Sequence, residues 1–450
     1  MIPCTAKEIC AAVDGMLLQD GEAVNGISTD SRKVGAGEMF IPLVGEKFDG
    51  HTYLDSALQS GADGCLTAKQ PEKLLPGKFY IQVDDTLAAL KRLASWYRGR
   101  FALPMIQITG SAGKTTTKEM IACVLAQKFR TLKTEANFNN HIGTPQMLLR
   151  LMPEHEAAVI ETGMNHFGEI RYLGEMVRPD FAVITNVGDA HIENLGGTRL
   201  GTLKAKCEIF ENLNLSGVAV LNGDDALLRE LKLAFETVLC GTGENCDVRV
   251  SDICEHGIEG IICTVTTARD VYEVVIPSPG EYMIYPAAMA IAIGEKLDLS
   301  KEEILRGIAA YVPVGSRMNV IRKSDERIII DDCYNANPQA MAEALKILAQ
   351  TQCRRRVAVL GDMGELGELT EKAHREMGEL TKQYGIDEVI AIGVKAKSIT
   401  DGNGSAKWFA TVEEAIDTVC AAFTDGTAVL VKASHAMEFG KIVKELEERK

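Results

Sequence analysis

The sequence predicts an α/β protein of three domains, in which a central parallel-sheet domain carries a phosphate-binding loop. Two observations lead to this class. The chain has 450 residues, which is too long for one hydrophobic core, and beyond residue 104 short apolar strands alternate with helical patterns. We expect an N-terminal α/β domain at 1–98, the central domain at 99–313 and a C-terminal Rossmann-like domain at 314–450.

The composition is that of an ordinary globular protein, with 46% hydrophobic and 25% charged residues. A formal net charge of −15 argues against a broad nucleic-acid surface, which needs clustered Lys and Arg. The chain lacks an apolar run of membrane-spanning length and a signal-peptide pattern at its start. We therefore predict a cytoplasmic protein without membrane insertion, expect a monomer, and interpret the 12 cysteines as reduced thiols.

The N-terminal domain mixes short helical patterns with strand-like pieces such as MFIPLV at 39–44. In the central domain, four apolar strands each run into polar residues. Because parallel strands expose ligand-binding groups at their carboxyl ends, these polar residues are candidates for a site. The four strands are predicted at 105–108, 157–160, 181–184 and 218–221.

The pattern changes twice toward the C-terminus. Between 247 and 277 the apolar residues alternate with period two, which predicts an antiparallel extension, and a helical stretch at 287–296 follows it. A domain boundary is expected near 312–315. Beyond it a second parallel sheet is predicted from apolar strands at 328–330, 357–360, 389–392 and 428–431.

A glycine-containing loop follows the first strand of the central domain, where residues 108–116 read ITGSAGKTT. Glycines allow backbone N–H groups to surround phosphate oxygens at a helix N-terminus. Lys114 would reach the β- and γ-phosphates of ATP, and the Thr115 hydroxyl would bind Mg²⁺. The predicted ATP site comprises Gly110, Ser111, Ala112, Gly113, Lys114, Thr115 and Thr116.

Glu161 ends the next apolar strand of the central domain. A carboxylate at this place can complete the oxygen shell of a hard cation such as Mg²⁺. A solvated glutamate at a strand end is the alternative interpretation.

Further segments of the central domain, together with the phosphate loop, resemble the Mur ligase family. They read NFNNHIGTP at 137–145, ETGMN at 161–165 and TNVGDAH at 185–191. In the last domain, DDCYNANP at 331–338 and LGDMGELG at 360–367 are similar to the branch of that family that adds D-alanyl-D-alanine.

Two N-terminal segments, DSRKV at 30–34 and DGH at 49–51, resemble the patches with which that branch binds a UDP-muropeptide. The resemblance spans essentially the whole chain in order. It implies that the N-terminal domain binds UDP and that the chain is an ATP-dependent, amide-forming ligase using Mg²⁺. The implied substrates are UDP-N-acetylmuramoyl-tripeptide and D-alanyl-D-alanine, joined through an acyl phosphate during peptidoglycan precursor synthesis.

The resemblance also implies which residues form the site. Two Mg²⁺ ions are implied, with Thr115 and Glu161 near the first and His191 near the second, and Lys114 and His191 serve catalysis. The nucleotide would further contact Asn137, Asn140, Arg317, Asp332, Asn335 and Asn337. The substrates would contact Ser31, Arg32, Asp49, His51 and Asn165.

Lys206 matches the position at which the family carries an N-carboxylated lysine, which would act both in catalysis and as a metal ligand. An ammonium cannot bind Mg²⁺, whereas a carbamate supplies two oxygens. Lys204 is an alternative candidate, and an unmodified surface lysine on a helix is the alternative interpretation.

Two segments depart from the family pattern. GEYMIYP at 280–286 replaces side chains expected near adenine, and KASH at 432–435 replaces K-G-S-R, which leaves the adenine and acceptor contacts open. Alternative functions are another Mur-type or folylpolyglutamate synthase-like ligase, a regulatory P-loop NTPase, and an inactive scaffold. The sequence does not distinguish a lysine from a diaminopimelate tripeptide.

Overall fold

The computed structural model describes residues 1–189, 191–364 and 366–449. Ala190 and Glu365, which belong to two of the motifs above, lie outside the described residues, as does Lys450. The chain divides into two compact units, which we describe separately. Unit 1 comprises Met1–Arg249 and Ala288–Ile304, and unit 2 comprises Val250–Ala287 and Leu305–Lys450.

Unit 1 begins with a mixed sheet in the strand order β1-β5-β4-β3-β2, in which β1 runs antiparallel to β5 and the other pairs are parallel. Its strands are β1 (Met16–Gln19), β2 (Gly26–Ser28), β3 (Glu38–Phe40), β4 (Gly64–Thr67) and β5 (Phe79–Gln82). The accompanying helices are α1 (Ala6–Val13), α2 (Leu54–Gln59) and α3 (Thr86–Arg98).

A second, parallel sheet of unit 1 has the order β12-β11-β10-β9-β6-β8-β7. Its strands are β6 (Met105–Thr109), β7 (Thr131–Lys133), β8 (Ala157–Glu161), β9 (Phe181–Ile184), β10 (Val218–Asn222), β11 (Glu236–Gly241) and β12 (Val248–Glu255), the last of which continues into unit 2. The helices between them are α4 (Lys114–Leu125), α5 (Gly143–Leu148), α6 (Glu169–Val177), α7 (Arg199–Cys207) and α8 (Ala226–Arg229). Strand β6 lies between β8 and β9. After β6 the chain forms β7 and β8 on one side of it and then crosses to β9 on the other, and ligands of such sheets bind at this reversal of strand order.

Helix α3 joins the two sheets of unit 1 into one hydrophobic core. Its residues Leu90, Leu93 and Tyr97 are buried in a cluster that contains side chains of both sheets. The Tyr97 hydroxyl donates a hydrogen bond to the Leu151 carbonyl over 2.6 Å and accepts one from the Ile2 N–H over 2.7 Å. The predicted boundary at residue 98 therefore follows a helix that packs against both of its neighbours.

Helices α9 (Ile284–Lys296) and α10 (Lys301–Ala309) carry the chain between the units. Unit 2 contains the antiparallel hairpin β13 (Ile261–Thr266) and β14 (Val271–Ile276) and a sheet in the order β15-β16-β20-β17-β18-β19. That sheet comprises β15 (Asn319–Arg322), β16 (Ile328–Asp331), β17 (Arg355–Gly361), β18 (Glu388–Ile392), β19 (Lys407–Phe409) and β20 (Thr427–Lys432). It is parallel except for β15, and its helices are α11 (Pro338–Gln350), α12 (Thr370–Gln383), α13 (Ile399–Gly402), α14 (Val412–Ala422) and α15 (Gly440–Glu448).

The predicted α/β class is confirmed, and the apolar strands of the two parallel sheets lie where the sequence patterns predict them. The limits of the three predicted domains stay a prediction. Within the described residues, no helix is both long and apolar enough to cross a membrane. The 12 cysteines are free thiols.

Candidate functional site

The phosphate loop of unit 1, residues 110–113, joins β6 to α4. Gly113 has a φ of 76°, in the left-handed region that favours glycine. Gly110 packs so closely against β9 that a Cβ atom would lie 1.8 Å from Thr185 Oγ1. Lys114 Nζ donates a hydrogen bond to the Gly110 carbonyl over 2.8 Å, so its ammonium group folds back over the loop. Both glycines are therefore required by the shape of the loop.

The segment after β9 holds this loop in place. Asn186 accepts hydrogen bonds from the Ser111 N–H at its carbonyl (3.2 Å) and from the Ala112 N–H at its Oδ1 atom (2.9 Å). The Gly188 N–H donates to Ser111 Oγ over 2.8 Å, and Thr185 Oγ1 donates to the Ala112 carbonyl over 2.5 Å. This supporting role is not predicted from the sequence, although the T-N pair at the end of a neighbouring strand is a signal for it.

The first turn of α4 follows the phosphate loop directly. Thr115 is buried there and Thr116 is half-buried. The first N–H groups of an α-helix have no partner within the helix, and the helix dipole favours an anion at this end. The loop and the first turn of α4 thus have the geometry of a site for phosphate oxygens.

Glu161, the last residue of β8, is only 3% exposed. Its N–H donates to Thr134 Oγ1 over 2.9 Å, and its Oε1 atom accepts from Asn139 Nδ2 over 2.9 Å. Within the described residues its Oε2 atom has no hydrogen-bond partner. A buried carboxylate oxygen without a partner is costly, and a hard cation would satisfy it. The predicted site residues of this motif are Asn137 and Asn140, whereas Asn139, which lies between them, is the one that contacts Glu161.

The other asparagines of these motifs have separate places. Asn137 is exposed. Asn140 Oδ1 accepts hydrogen bonds from the N–H groups of Ile142 (3.0 Å) and Gly143 (2.9 Å), so this oxygen is engaged at the beginning of α5. Asn165 is exposed at the approach to α6.

The two lysines of α7 differ sharply in environment. Lys206 is 3% exposed, and among the described residues no carboxylate pairs with its amine. Burial, together with the positive charge of Lys114, lowers the pKa of Lys206 to about 7. Lys204 is exposed, with its Nζ atom 5.8 Å from the centre of the Phe167 ring. The structure therefore distinguishes Lys206 from Lys204 as a buried amine of which about half is neutral near pH 7.

His191 precedes a short 3₁₀ helix, Ile192–Leu195, and has a φ of 58°. His191 is half-buried and stands at the end of the segment that supports the phosphate loop. Nearby, Asp189 forms a two-point ion pair with Arg199, each contact 2.7 Å long. Among the described residues, no group of three or more His, Cys, Asp or Glu side chains is arranged to bind a metal ion by itself. Any Mg²⁺ would therefore need hydroxyl, phosphate or water oxygens in addition.

In the first sheet of unit 1, Asp30 binds its own neighbour Arg32. The carboxylate accepts hydrogen bonds from the backbone N–H (3.0 Å), Nε (2.9 Å) and Nη2 (2.9 Å) of Arg32. These bonds from Arg32 lower the pKa of Asp30 to about 2. The Arg32 side chain is largely exposed and Ser31 is half-buried, so both can meet a ligand at this turn.

His51 is held inside the fold by both ring nitrogens. Nε2 accepts a hydrogen bond from the Ala68 N–H over 3.0 Å, and Nδ1 donates one to Asp49 Oδ1 over 2.7 Å. Lys69 Nζ contacts the other carboxylate oxygen over 2.5 Å. The Lys69 bond, followed by those from His51, holds the pKa of Asp49 well below its usual range. His51 is thus placed to orient Asp49, which the sequence spacing did not reveal.

In unit 2, Asp332 follows β16 and pairs with Lys432 at the end of β20. Lys432 is 1% exposed, and its Nζ atom lies 2.5 Å from Asp332 Oδ2 and 3.0 Å from the Asn335 carbonyl. The Met318 N–H donates to Asp332 Oδ1 over 3.0 Å. Burial raises the pKa of Asp332, while the Lys432 ammonium acts in the opposite direction.

Asn335 and Asn337 lie in the turn between β16 and α11, and both are exposed. Asn337 Oδ1 accepts from the Ala340 N–H over 2.9 Å and caps α11, with Pro338 in the first turn. Asn335 Oδ1 accepts from the Ala336 N–H over 2.9 Å. Among the described residues, neither NH₂ group has a hydrogen-bond acceptor, so both can donate to a ligand.

Three side chains stack beside this turn. The Arg317 guanidinium lies 3.7 Å from the centre of the Tyr334 ring, and the His435 ring lies 5.4 Å from Tyr334 at an angle of 37°. The structure brings Arg317, Asp332, Asn335 and Asn337 together at the carboxyl ends of β16 and β20. These residues form one cluster within unit 2.

Three family models match successive parts of the chain. The Mur ligase family catalytic domain matches residues 23–98, the Mur ligase middle domain matches 108–294, and the Mur ligase glutamate ligase domain matches 316–435. Together they cover most of the sequence.

Curated relatives are similar over nearly their whole length. The UDP-N-acetylmuramoyl-tripeptide–D-alanyl-D-alanine ligase of Bacillus subtilis is 35% identical, with 99% of both chains covered. The ligase of the same name from Escherichia coli is 34% identical, with 100% of this chain and 99% of that protein covered.

Solved structures agree with these relatives. A crystal structure of MurF from Acinetobacter baumannii is 32% identical, covers 99% of both chains and has a TM-score of 0.90. The MurF ligase of Thermotoga maritima in complex with ADP is 28% identical, covers 94% of this chain and 98% of its own, and has a TM-score of 0.82.

Proposed function

The chain belongs to the Mur ligase family, and from this premise we propose that it joins D-alanyl-D-alanine to UDP-N-acetylmuramoyl-tripeptide with cleavage of ATP. It is an ATP-dependent, amide-forming ligase of peptidoglycan precursor synthesis. The full-length similarity to ligases of that name supports the choice of substrates. The observation that carries the reaction type is the phosphate loop beside a buried carboxylate and a buried, unpaired lysine amine.

The reaction proceeds in two steps. The carboxylate of the tripeptide attacks the γ-phosphorus of ATP, which gives an acyl phosphate and ADP. The neutral amine of D-alanyl-D-alanine then attacks the acyl carbon, and the tetrahedral intermediate expels phosphate and loses a proton. Lys114 neutralises charge that develops on the phosphoryl oxygens, and the amides at the beginning of α4 orient them.

The residues present fit Mg²⁺, because Glu161 Oε2 is a buried oxygen without a partner among the described residues and Thr115 supplies a hydroxyl in the first turn of α4. We propose that these two residues hold one ion and that His191, together with a modified Lys206, holds a second. When bound, the ions supply positive charge to the phosphate oxygens. Asn139 fixes the Glu161 carboxylate, and Asn137 and Asn140 complete the nucleotide side of the site.

We propose that Lys206 carries an N-carboxylate. Carbon dioxide adds only to a neutral amine, forming an N–C bond and releasing one proton, and burial makes a large fraction of Lys206, about half, neutral near pH 7. The carbamate replaces an unpaired cation by an anion next to Lys114. Enrichment of the protein with ¹³C-bicarbonate should give a carbamate signal that Lys206→Ala lacks. Full activity of Lys206→Ala, or a signal that survives in it, would contradict the modification.

We assign the remaining contacts by unit. In unit 2, Arg317, Asp332, Asn335 and Asn337 would contact the nucleotide, since they form one cluster at the carboxyl ends of β16 and β20. The UDP-muropeptide would meet Ser31, Arg32 and Asp49, with His51 orienting Asp49, and Asn165 would meet its peptide. Because its nucleotide-linked substrates are cytoplasmic metabolites, we propose a cytoplasmic location, and a monomer stays a prediction for sedimentation analysis.

The deciding experiment supplies Mg-ATP and either the lysine or the diaminopimelate form of UDP-N-acetylmuramoyl-tripeptide, with and without D-alanyl-D-alanine. Phosphate release and product mass are followed together, and Lys114→Met serves as the inactive control. A mass gain of one dipeptide that requires all three substrates is the expected result and also identifies the tripeptide.

Two other results would favour the alternatives. ATP hydrolysis without a new amide would indicate a regulatory P-loop NTPase. Absence of product with either tripeptide, while ADP still binds, would indicate another amino-acid ligase of the Mur type or a folylpolyglutamate synthase-like ligase.

A further inference from the structure

A histidine outside every site residue named so far is completely buried in unit 2. His374 lies in α12 and has no exposed surface. Its Nδ1 atom lies 2.7 Å from the Thr370 carbonyl, one helical turn earlier. A carbonyl oxygen can only accept, so Nδ1 carries the proton. Nε2 is then an acceptor, and it receives the Met363 N–H over 3.0 Å.

The partner of His374 belongs to a turn at the carboxyl end of β17. We define the β17 turn as residues 362–364 and the β20 turn as residues 433–437. The Gly364 N–H donates to Ser434 Oγ over 2.9 Å, and the Ser434 N–H donates to the Asp362 carbonyl over 3.1 Å. Two hydrogen bonds thus join the turns directly, and His374 anchors one of them to α12.

The braced turns lie at the edge of the sheet where ligands of open α/β sheets bind. The β20 turn begins directly after Lys432, the partner of Asp332, and contains His435, which stacks on Tyr334. A third turn is also attached, because Asp362 Oδ1 accepts from the Ala396 N–H over 2.7 Å. A shift of the β17 turn would therefore displace groups beside the proposed nucleotide contacts.

We propose that His374 is a positioning residue of the ligase reaction, which acts through the Met363 N–H and Ser434 to hold the β20 turn in its productive place. The proposal rests on the proposed function. His374 itself touches no reacting atom; it supplies a buried acceptor at the base of the β17 turn. Without that acceptor, Met363 would have a buried N–H group with no partner, and the turn would move to satisfy it.

Two substitutions of His374 distinguish its role as the acceptor of the Met363 N–H from simple packing in the core. His374→Gln can place an amide oxygen about as far along the side chain as Nε2, so it can still accept the Met363 N–H. His374→Asn reaches only to the position of Nδ1 and loses that bond. Both remove the imidazole from α12. The matched control is Arg375→Gln, since Arg375 is the next residue of the helix and is exposed.

The measurements are kcat/KM for D-alanyl-D-alanine, with both other substrates saturating, and the affinity for ADP. We expect His374→Asn to lower kcat/KM about tenfold, equivalent to about 1.4 kcal/mol, for one lost buried hydrogen bond. His374→Asn should also weaken ADP binding, because the shifted turns adjoin the proposed nucleotide contacts. His374→Gln should restore most of both losses, and Arg375→Gln should match the unsubstituted protein. Equal activity of His374→Asn and the unsubstituted protein, or equal loss in the Gln and Asn variants, would overturn the proposal.

A second variant keeps the test decisive if His374→Asn fails to fold. Ser434→Ala removes the hydroxyl that accepts the Gly364 N–H, in a turn where Ser434 is half-buried. It should also lower kcat/KM for D-alanyl-D-alanine. If both fold, the double variant should lose no more than the worse single variant, because both break one connection. Full activity of Ser434→Ala, or strictly additive losses, would refute the brace. Absence of ligation in the unsubstituted protein would instead refute the proposed function.

Discussion

Substitution of Lys206 by Met tests whether the buried amine has the protonation state that the structure gives it. Lys206 is 3% exposed, and burial followed by repulsion from Lys114 lowers its pKa from the ordinary 10.5 to about 7. Met has a similar length and no charge, so Lys206→Met removes the ionisable group and keeps most of the packing. The experiment is made in CO₂-free buffer, so that the amine stays unmodified.

The sign of the effect follows from proton binding. Between pH 7 and 10.5 the unfolded chain holds a proton on Lys206 that the folded protein has released, so the lysine destabilises the fold. The cost is greatest below pH 7 and disappears above pH 10.5. With a folded pKa of about 7, the cost is about 4 kcal/mol at pH 7 and about 2 kcal/mol at pH 9.

Urea unfolding at the two pH values measures this change. The free energy of unfolding of Lys206→Met minus that of the unsubstituted protein should shrink by about 2 kcal/mol from pH 7 to pH 9. Lys204→Met, on the exposed face of the same helix, is the control and should show no such change. A difference that stays constant with pH would mean that Lys206 is protonated in the folded protein, and the route to its carbamate would fail.

Three further variants probe the site. Gly110→Ala puts a Cβ atom 1.8 Å from a hydroxyl oxygen of the neighbouring segment, so calorimetry should show at least a tenfold weaker ADP affinity; unchanged affinity would contradict the close packing. Asn139→Ala removes the amide that fixes Glu161, so half-maximal activity should need more Mg²⁺; an unchanged Mg²⁺ titration would argue against that ion site. Lys432→Met leaves the Asp332 carboxylate, whose side chain is only 15% exposed, without its counter-ion and should lower the free energy of unfolding by about 3 kcal/mol; a loss below about 1 kcal/mol would show that the pair contributes little.

The local elements of the fold could be predicted from the sequence, because buried parallel strands are continuous apolar runs. β6 was predicted at 105–108 and occupies Met105–Thr109, with the phosphate loop directly after it. The helix predicted at 287–296 begins earlier, at Ile284. Pro286 falls in its first turn, where the missing N–H group removes no helical hydrogen bond.

Relations between distant segments could not be predicted in the same way. Helix α3 ends at the predicted boundary, yet the Tyr97 hydroxyl joins it by hydrogen bonds to Ile2 on one side and to Leu151 on the other. His51 was selected as a ligand-binding residue, and only the fold places the Ala68 N–H against Nε2. Lys204 and Lys206 are equally plausible in the sequence, whereas their burial separates them. Each of these outcomes depends on contacts between residues that lie far apart in the sequence.

The stack of Arg317 on Tyr334 lowers the affinity of any anion that binds this guanidinium. A cation over an exposed aromatic face is stabilised by about 0.5–1 kcal/mol, and the contact here is 3.7 Å long. A phosphate group must outcompete the ring before Arg317 can bind it, which lowers the apparent affinity about two- to fivefold. Tyr334 therefore acts as an internal competitor that lowers the affinity of every anion that recruits Arg317 by the same factor.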